Sequence, residues 1–171
     1  MEFLILDSIQ KEKYFGEMQK MLIESDDEFV PPLSKRNSTT QKNLSSDTEN
    51  VSGILGYFGQ MKKQNFIIAC DGDELCAFVS YIENYEIEEI RHLPNVYIST
   101  VVVKREYRGK GITSSLYNEL FRWYPDCAVY TRTWSTNFAH IKILSKLGFE
   151  VLKTIKDDRG EGIDTVYFEK F

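Results

Sequence analysis

The stretch Val101-Val102-Val103-Lys104-Arg105-Glu106-Tyr107-Arg108-Gly109-Lys110-Gly111-Ile112-Thr113-Ser114 constrains the fold more than any other. The run from Tyr97 to Val103 is almost continuously apolar and β-branched, as in a central strand buried on both faces. A basic turn with two glycines follows. Beyond it Leu116, Leu120 and Phe121 recur at helical spacing, so a helix is expected from Ile112 to Trp123, ended by Pro125. A strand that turns directly into a helix exposes the first helical N–H groups, which have no internal partner and lie at the positive end of the helix dipole. That arrangement is an anion site. Gly109 and Gly111 carry no Cβ and let an anion reach the backbone amides, while Arg108 and Lys110 add charge.

The turn fits neither of two common phosphate motifs. A nucleoside-triphosphate loop needs four residues between its glycines and then Gly-Lys-Ser/Thr. A dinucleotide loop needs a third glycine where this chain has Ser114. Taken alone, the turn could also be a solvated basic corner whose glycines only permit tight geometry. A second stretch bears on the choice: Ser135-Thr136-Asn137-Phe138-Ala139-His140-Ile141-Lys142-Ile143-Leu144-Ser145-Lys146-Leu147-Gly148-Phe149-Glu150 reads as a helix from Asn137 to Leu147, closed by Gly148 and followed by a strand.

Together these stretches resemble the GNAT superfamily of acyl-CoA N-acyltransferases. The turn matches that superfamily's Arg/Gln-x-x-Gly-x-Gly/Ala pyrophosphate loop except at its last position, Thr113, and the second stretch matches its Asn-initiated helix ending in Lys-Leu-Gly-Phe. The resemblance implies acetyl-CoA as cosubstrate, its pyrophosphate on the N–H groups of Gly109, Lys110, Gly111, Ile112 and Thr113 beside Arg108. It implies a pantetheine arm lying along Val101, Val102 and Val103 like an added strand and touching Asn137. It also marks a departure: the position that is usually a tyrosine, general acid for the leaving thiolate, is Leu144. Ser145 lies about 100° round the helix from it and should point elsewhere.

The rest of the chain suits such a fold. Strands are expected at 2–7, 66–70, 75–82, 97–103, 128–134, 149–154 and 164–171, and helices at 8–24, 50–63, 112–123 and 137–147, with Val51, Ile54, Leu55, Phe58 and Met61 on one face of the second. A long polar loop runs over 34–49. The order β-α-α-β-β-β-α-β-α-β-β is that of a single α/β domain spanning residues 1–171, a GNAT-like mixed β-sheet with helices on both faces. Three cysteines without a CxxC pair suggest neither a zinc site nor a disulfide framework, so no metal is expected. No apolar run approaches a membrane span, and no basic segment precedes the apolar N-terminus, so a cytoplasmic protein without a membrane partner is the default. A net charge of −5 gives nucleic-acid binding no support.

Transfer to an amine requires a neutral nucleophile, and an alkylamine of pKa about 10.4 must lose a proton first. The central strand offers no carboxylate. The nearest candidates for the base are Glu88, Glu89 and His92, of which His92 has the better intrinsic pKa. Tyr130 and Arg132 on the next strand are candidates to face the acceptor. Acidic clusters at 24–28 and 83–89 suggest a cationic acceptor, a small molecule or a protein amine. The resemblance leaves a homodimer open to the chain. The alternative to an enzyme is a catalytically silent acyl-CoA-binding sensor or partner module, a reading that Leu144 and the base-free strand favour.

Overall fold

A computed structural model describes residues 1–44 and 53–171. Seven strands form one sheet in the order β1-β2-β3-β4-β5-β7-β6. They are β1 (Glu2–Leu6), β2 (Asn65–Asp71), β3 (Glu74–Glu83), β4 (Asn95–Val103), β5 (Ala128–Trp134), β6 (Glu150–Ile155) and β7 (Thr165–Lys170). Among the described strands only β4 and β5 pair in parallel; their connection is the helix α3 (Ile112–Trp123), as a parallel crossover requires. The remaining helices are α1 (Phe15–Ser25), α2 (Gly53–Met61) and α4 (Phe138–Lys146).

Helices cover both faces. On one face α3 contributes Ile112, Leu116, Tyr117 and Leu120 to a core with Ala77, Val79, Ile98 and Val129, closed by Leu144 and Phe149. On the other, Met18, Met21 and Leu22 of α1 and Tyr57, Phe58 and Met61 of α2 pack on Phe66, Ile68, Phe78 and Val102. Side chains of β4 therefore serve both cores in alternation, which accounts for its unbroken apolar run.

Three sequence expectations need correction. The helix expected at 8–24 begins as a 3₁₀ turn at Gln10–Tyr14 and becomes α-helical only at Phe15. Leu55, placed on the inner face of the second helix, is 62% exposed, and Tyr57 is fully buried instead; Val51 lies outside the described residues. The described part of the polar loop is not simply solvated: Arg36, Thr39 and Leu44 are all buried.

Candidate acyl-transfer cleft

β4 and β5 pair only over Asn95–Ile98 and Ala128–Thr131, although both strands run further. A register shift sits at the point of divergence. Tyr81 faces Ile98 and Ser80 faces Thr100, so no residue of β3 stands opposite Ser99 in the register. Such a bulge bends a strand and raises its twist. The two strands splay, and a cleft of about 560 Å³ opens between them. It is lined by Ile98–Val103 on one side and Thr131–Trp134 on the other, and it reaches the turn before α3 and the start of α4.

The turn is built as an anion cradle. Gly109 and Gly111 adopt φ of +75° and +77°, the left-handed region where a side chain is strained. The first backbone hydrogen bond of α3 runs from the Ser115 N–H to the Gly111 carbonyl. The N–H groups of residues 109–114 find no acceptor among the described residues, and they surround the N-terminus of a twelve-residue helix. Arg108 anchors the rim, with Nε donating to the Val103 carbonyl at 3.0 Å and Nη2 2.8 Å from Glu28. Arg105 grips the same carboxylate at 2.9 Å. Partial burial opposes ionisation of Glu28, but hydrogen bonds from Arg108 and Arg105 outweigh it and hold the carboxyl below its ordinary range.

Of the residues expected to hold the cosubstrate, Val101, Val102, Val103, Arg108, Gly109, Gly111, Ile112, Thr113 and Asn137 all line the cleft. Lys110 does not; its ammonium sits 4.8 Å from the centre of the Tyr107 ring. Asn137 caps α4: its Oδ1 accepts from the His140 N–H, and its Nδ2 donates to Thr133 Oγ1 at 3.0 Å.

The candidate bases lie elsewhere. Glu88 is exposed. Glu89 forms ion pairs with Lys42 and Lys153, each at 3.2 Å. Burial works against its ionisation, yet its own backbone N–H and the two lysines keep its pKa low. His92 is exposed and packs edge-on against Phe171 at the C-terminus. None of the three lines the cleft. The other histidine does: His140 shares a 2.9 Å hydrogen bond with the Tyr117 hydroxyl, and burial pushes its pKa down to about 4. It is neutral at physiological pH. Leu144 is fully buried in the core and Ser145 is exposed, and neither lines the cleft.

The opposite wall carries three guanidiniums. On β5, Thr131 and Thr133 hydrogen-bond to the Ile98 carbonyl and to Asn137, so Arg132 and Trp134 alternate onto the face away from α3 and α4. Arg36, from the loop after α1, and Arg159, from the β6–β7 loop, join them in lining the cleft. Sequence reasoning named Arg132 and missed the other two, because charged residues in polar loops ordinarily face solvent.

The model of the GNAT acetyltransferase family matches residues 25–149. No curated protein matches the chain. Solved structures share the fold at low identity. Ribosomal-protein-alanine N-acetyltransferase from Brucella melitensis is 15% identical, over 100% of this chain and 99% of that one, with a TM-score of 0.67. A Salmonella typhimurium protein described as an acetyltransferase, solved with its cofactor acetyl-CoA, is 14% identical over 99% and 92%, with a TM-score of 0.67. An N-acetyltransferase from Staphylococcus aureus Mu50 is 12% identical over 99% and 96%, with a TM-score of 0.64.

Proposed function

The chain belongs to the GNAT acetyltransferase family, with acetyl-CoA as acyl donor, and from this we propose that it transfers the acetyl group to a primary amine by direct attack in the β4–β5 cleft. One observation carries the reading. The splay joins an open amide cradle on the α3 side to a polar pocket on the other side, so donor and acceptor can meet from opposite faces of one sheet. The unpartnered N–H groups of 109–114 suit a pyrophosphate, and the edge of β4 beyond Ile98 suits an extended amide-bearing arm that pairs like a strand.

The chemistry balances without a covalent enzyme intermediate. The ammonium loses one proton to water, the neutral nitrogen attacks the thioester carbonyl, and the C–N bond forms as the C–S bond breaks. The second nitrogen-bound proton goes to the departing thiolate. No carboxylate is free to take the first proton among the described cleft residues, since Glu28 is held by Arg105 and Arg108. The cationic wall itself favours the neutral amine, because a like charge nearby disfavours the protonated form. A thiol of pKa about 8.5 is a fair leaving group, so the buried Leu144 slows the step without forbidding it.

Calorimetry with acetyl-CoA and turnover over an amine panel test the reading together. Arg108→Ala and Gly111→Val should each weaken acetyl-CoA binding by roughly 10- to 100-fold, the scale of a lost charge-assisted hydrogen bond, with the fold intact. Unchanged affinity in both removes the turn from the site. A second reading, the silent acyl-CoA-binding module, draws on Leu144; tight acetyl-CoA binding without turnover of any amine would establish it.

A further inference from the structure

We infer that the acceptor is a small amine carrying a carboxylate, and that Arg36, Arg132 and Arg159 receive that carboxylate. The inference rests on the acyl-transfer reading above and specifies its acceptor.

The three arginines come from separate segments and converge on one wall of the cleft. Arg36 and Arg159 are only 5% and 6% exposed. Each guanidinium lies over a ring: Arg36 at 5.7 Å from Phe29, Arg132 at 5.8 Å from Tyr167 and Arg159 at 5.8 Å from Trp134. Each is also aimed by neutral acceptors. Arg36 donates to the Val30 and Pro31 carbonyls, Arg132 to the Gln41 carbonyl and the Tyr167 hydroxyl, and Arg159 to the Val30 carbonyl and Thr165 Oγ1. These partners orient the charges without neutralising them. Among the described residues no carboxylate pairs with any of the three within 4.0 Å. Two carboxylates lie near without a direct pair: Asp26 accepts from Ser34, and Asp158 accepts from the Thr165 hydroxyl that in turn accepts from Arg159 Nε. Burial first, and then the charges of Arg36 and Arg132, push the Arg159 pKa down to about 9.

Arg36 and Arg159 are buried and Arg132 is partly so, each without a directly paired carboxylate among the described residues, and such placement is costly and persists where something repays it. In a chain of net charge −5, their gathering at one wall is a built site rather than a general surplus of arginine. Arg36 Nη1, Arg132 Nε and Arg159 Nη2 donate no hydrogen bond among the described residues, so the cluster retains donors for a ligand. The planar guanidinium fork matches a carboxylate. On the acyl-transfer reading the phosphates take the cradle on the α3 side, which leaves this wall to the acceptor. Within the acidic clusters that suggested a cationic acceptor, Glu28 is tied to Arg105 and Arg108, and Glu89 to Lys42 and Lys153.

The test compares matched acceptors on the intact protein: amino acids against their own amides, and amino phosphonates of equal length. The expected result is a kcat/KM favouring the acids over the amides by roughly 10- to 100-fold, expressed mainly in KM. Arg132→Gln should collapse that ratio toward one, and Arg132→Lys should restore part of it. A merely structural arginine, stapling residues 30–41 to the sheet, would lower both rates and leave the ratio intact. Amides accepted as well as acids by the unaltered protein overturn the inference, as do phosphonates preferred to carboxylates. If no amine is acetylated, calorimetry in the presence of CoA still decides. Binding of the acid but not the amide sustains the inference while the transferase reading falls, and binding of neither ends it.

Discussion

His140 shows how one partly buried side chain sets a pH dependence. Its pKa is pushed down to about 4 from an unfolded value of about 6.5. A depressed histidine contributes stability that is full above the unfolded value and is lost as pH falls through the folded one, because between them the unfolded chain binds the extra proton. The protein should therefore lose up to about 3 kcal/mol between pH 6.5 and 4 from this group. Thermal melts across that window should show a shallower slope in His140→Gln than in the unaltered chain. Leu144 gives a second residue-scale expectation. The usual tyrosine cannot simply be restored, because Leu144 is fully buried between α4 and the sheet. Leu144→Tyr should destabilise by about 1–3 kcal/mol through overpacking, with no gain in turnover; faster turnover at equal stability would show that the pocket has room.

At the scale of elements, α4 and the end of α1 frame the cleft. The Asn137 side chain caps α4 and holds Thr133 on β5. Asn137→Ala should cost about 1 kcal/mol as a lost cap, read by chemical denaturation, and should also weaken acetyl-CoA binding. The 3₁₀ turn after α1 places Glu28 against Arg105 and Arg108, at the rim of the phosphate cradle. A carboxylate there repels a pyrophosphate and competes for Arg108, so Glu28→Gln should tighten acetyl-CoA binding by a few-fold, more at low salt; weaker binding would mean that Glu28 serves to hold Arg108 in place. Elements with strong local signals were legible in the sequence. The β4 run, the glycine turn, the α3 stripe and the Asn137 cap each need only neighbours in the chain. The edge of the inner face of α2 was not: Ile54, Phe58 and Met61 pack inward as expected, but the neighbouring sheet and α1 bury Tyr57 and leave Leu55 outside.

At the scale of the whole molecule, an acidic chain encloses a basic cleft. Its described lining holds Arg36, Arg108, Arg132, Lys146 and Arg159 against the single carboxylate of Glu28. The phosphate half of that asymmetry was readable, since Arg108 stands inside a local motif. The acceptor half was not. Arg36 and Arg159 stand in polar loops, and only the long-range folding of those loops onto β5 and β7 buries them. The base stayed illegible for the opposite reason. Glu88, Glu89 and His92 are close to β4 in sequence, but the β3–β4 connection carries them away from the splay. The measurement that bears most directly on the account is product analysis by mass spectrometry, run beside thiol release, with acetyl-CoA and a panel of amino carboxylates. One free CoA thiol is expected for each N-acetylated amine formed. Thiol release without an N-acetyl product, or acetyl-CoA binding with neither, would contradict it.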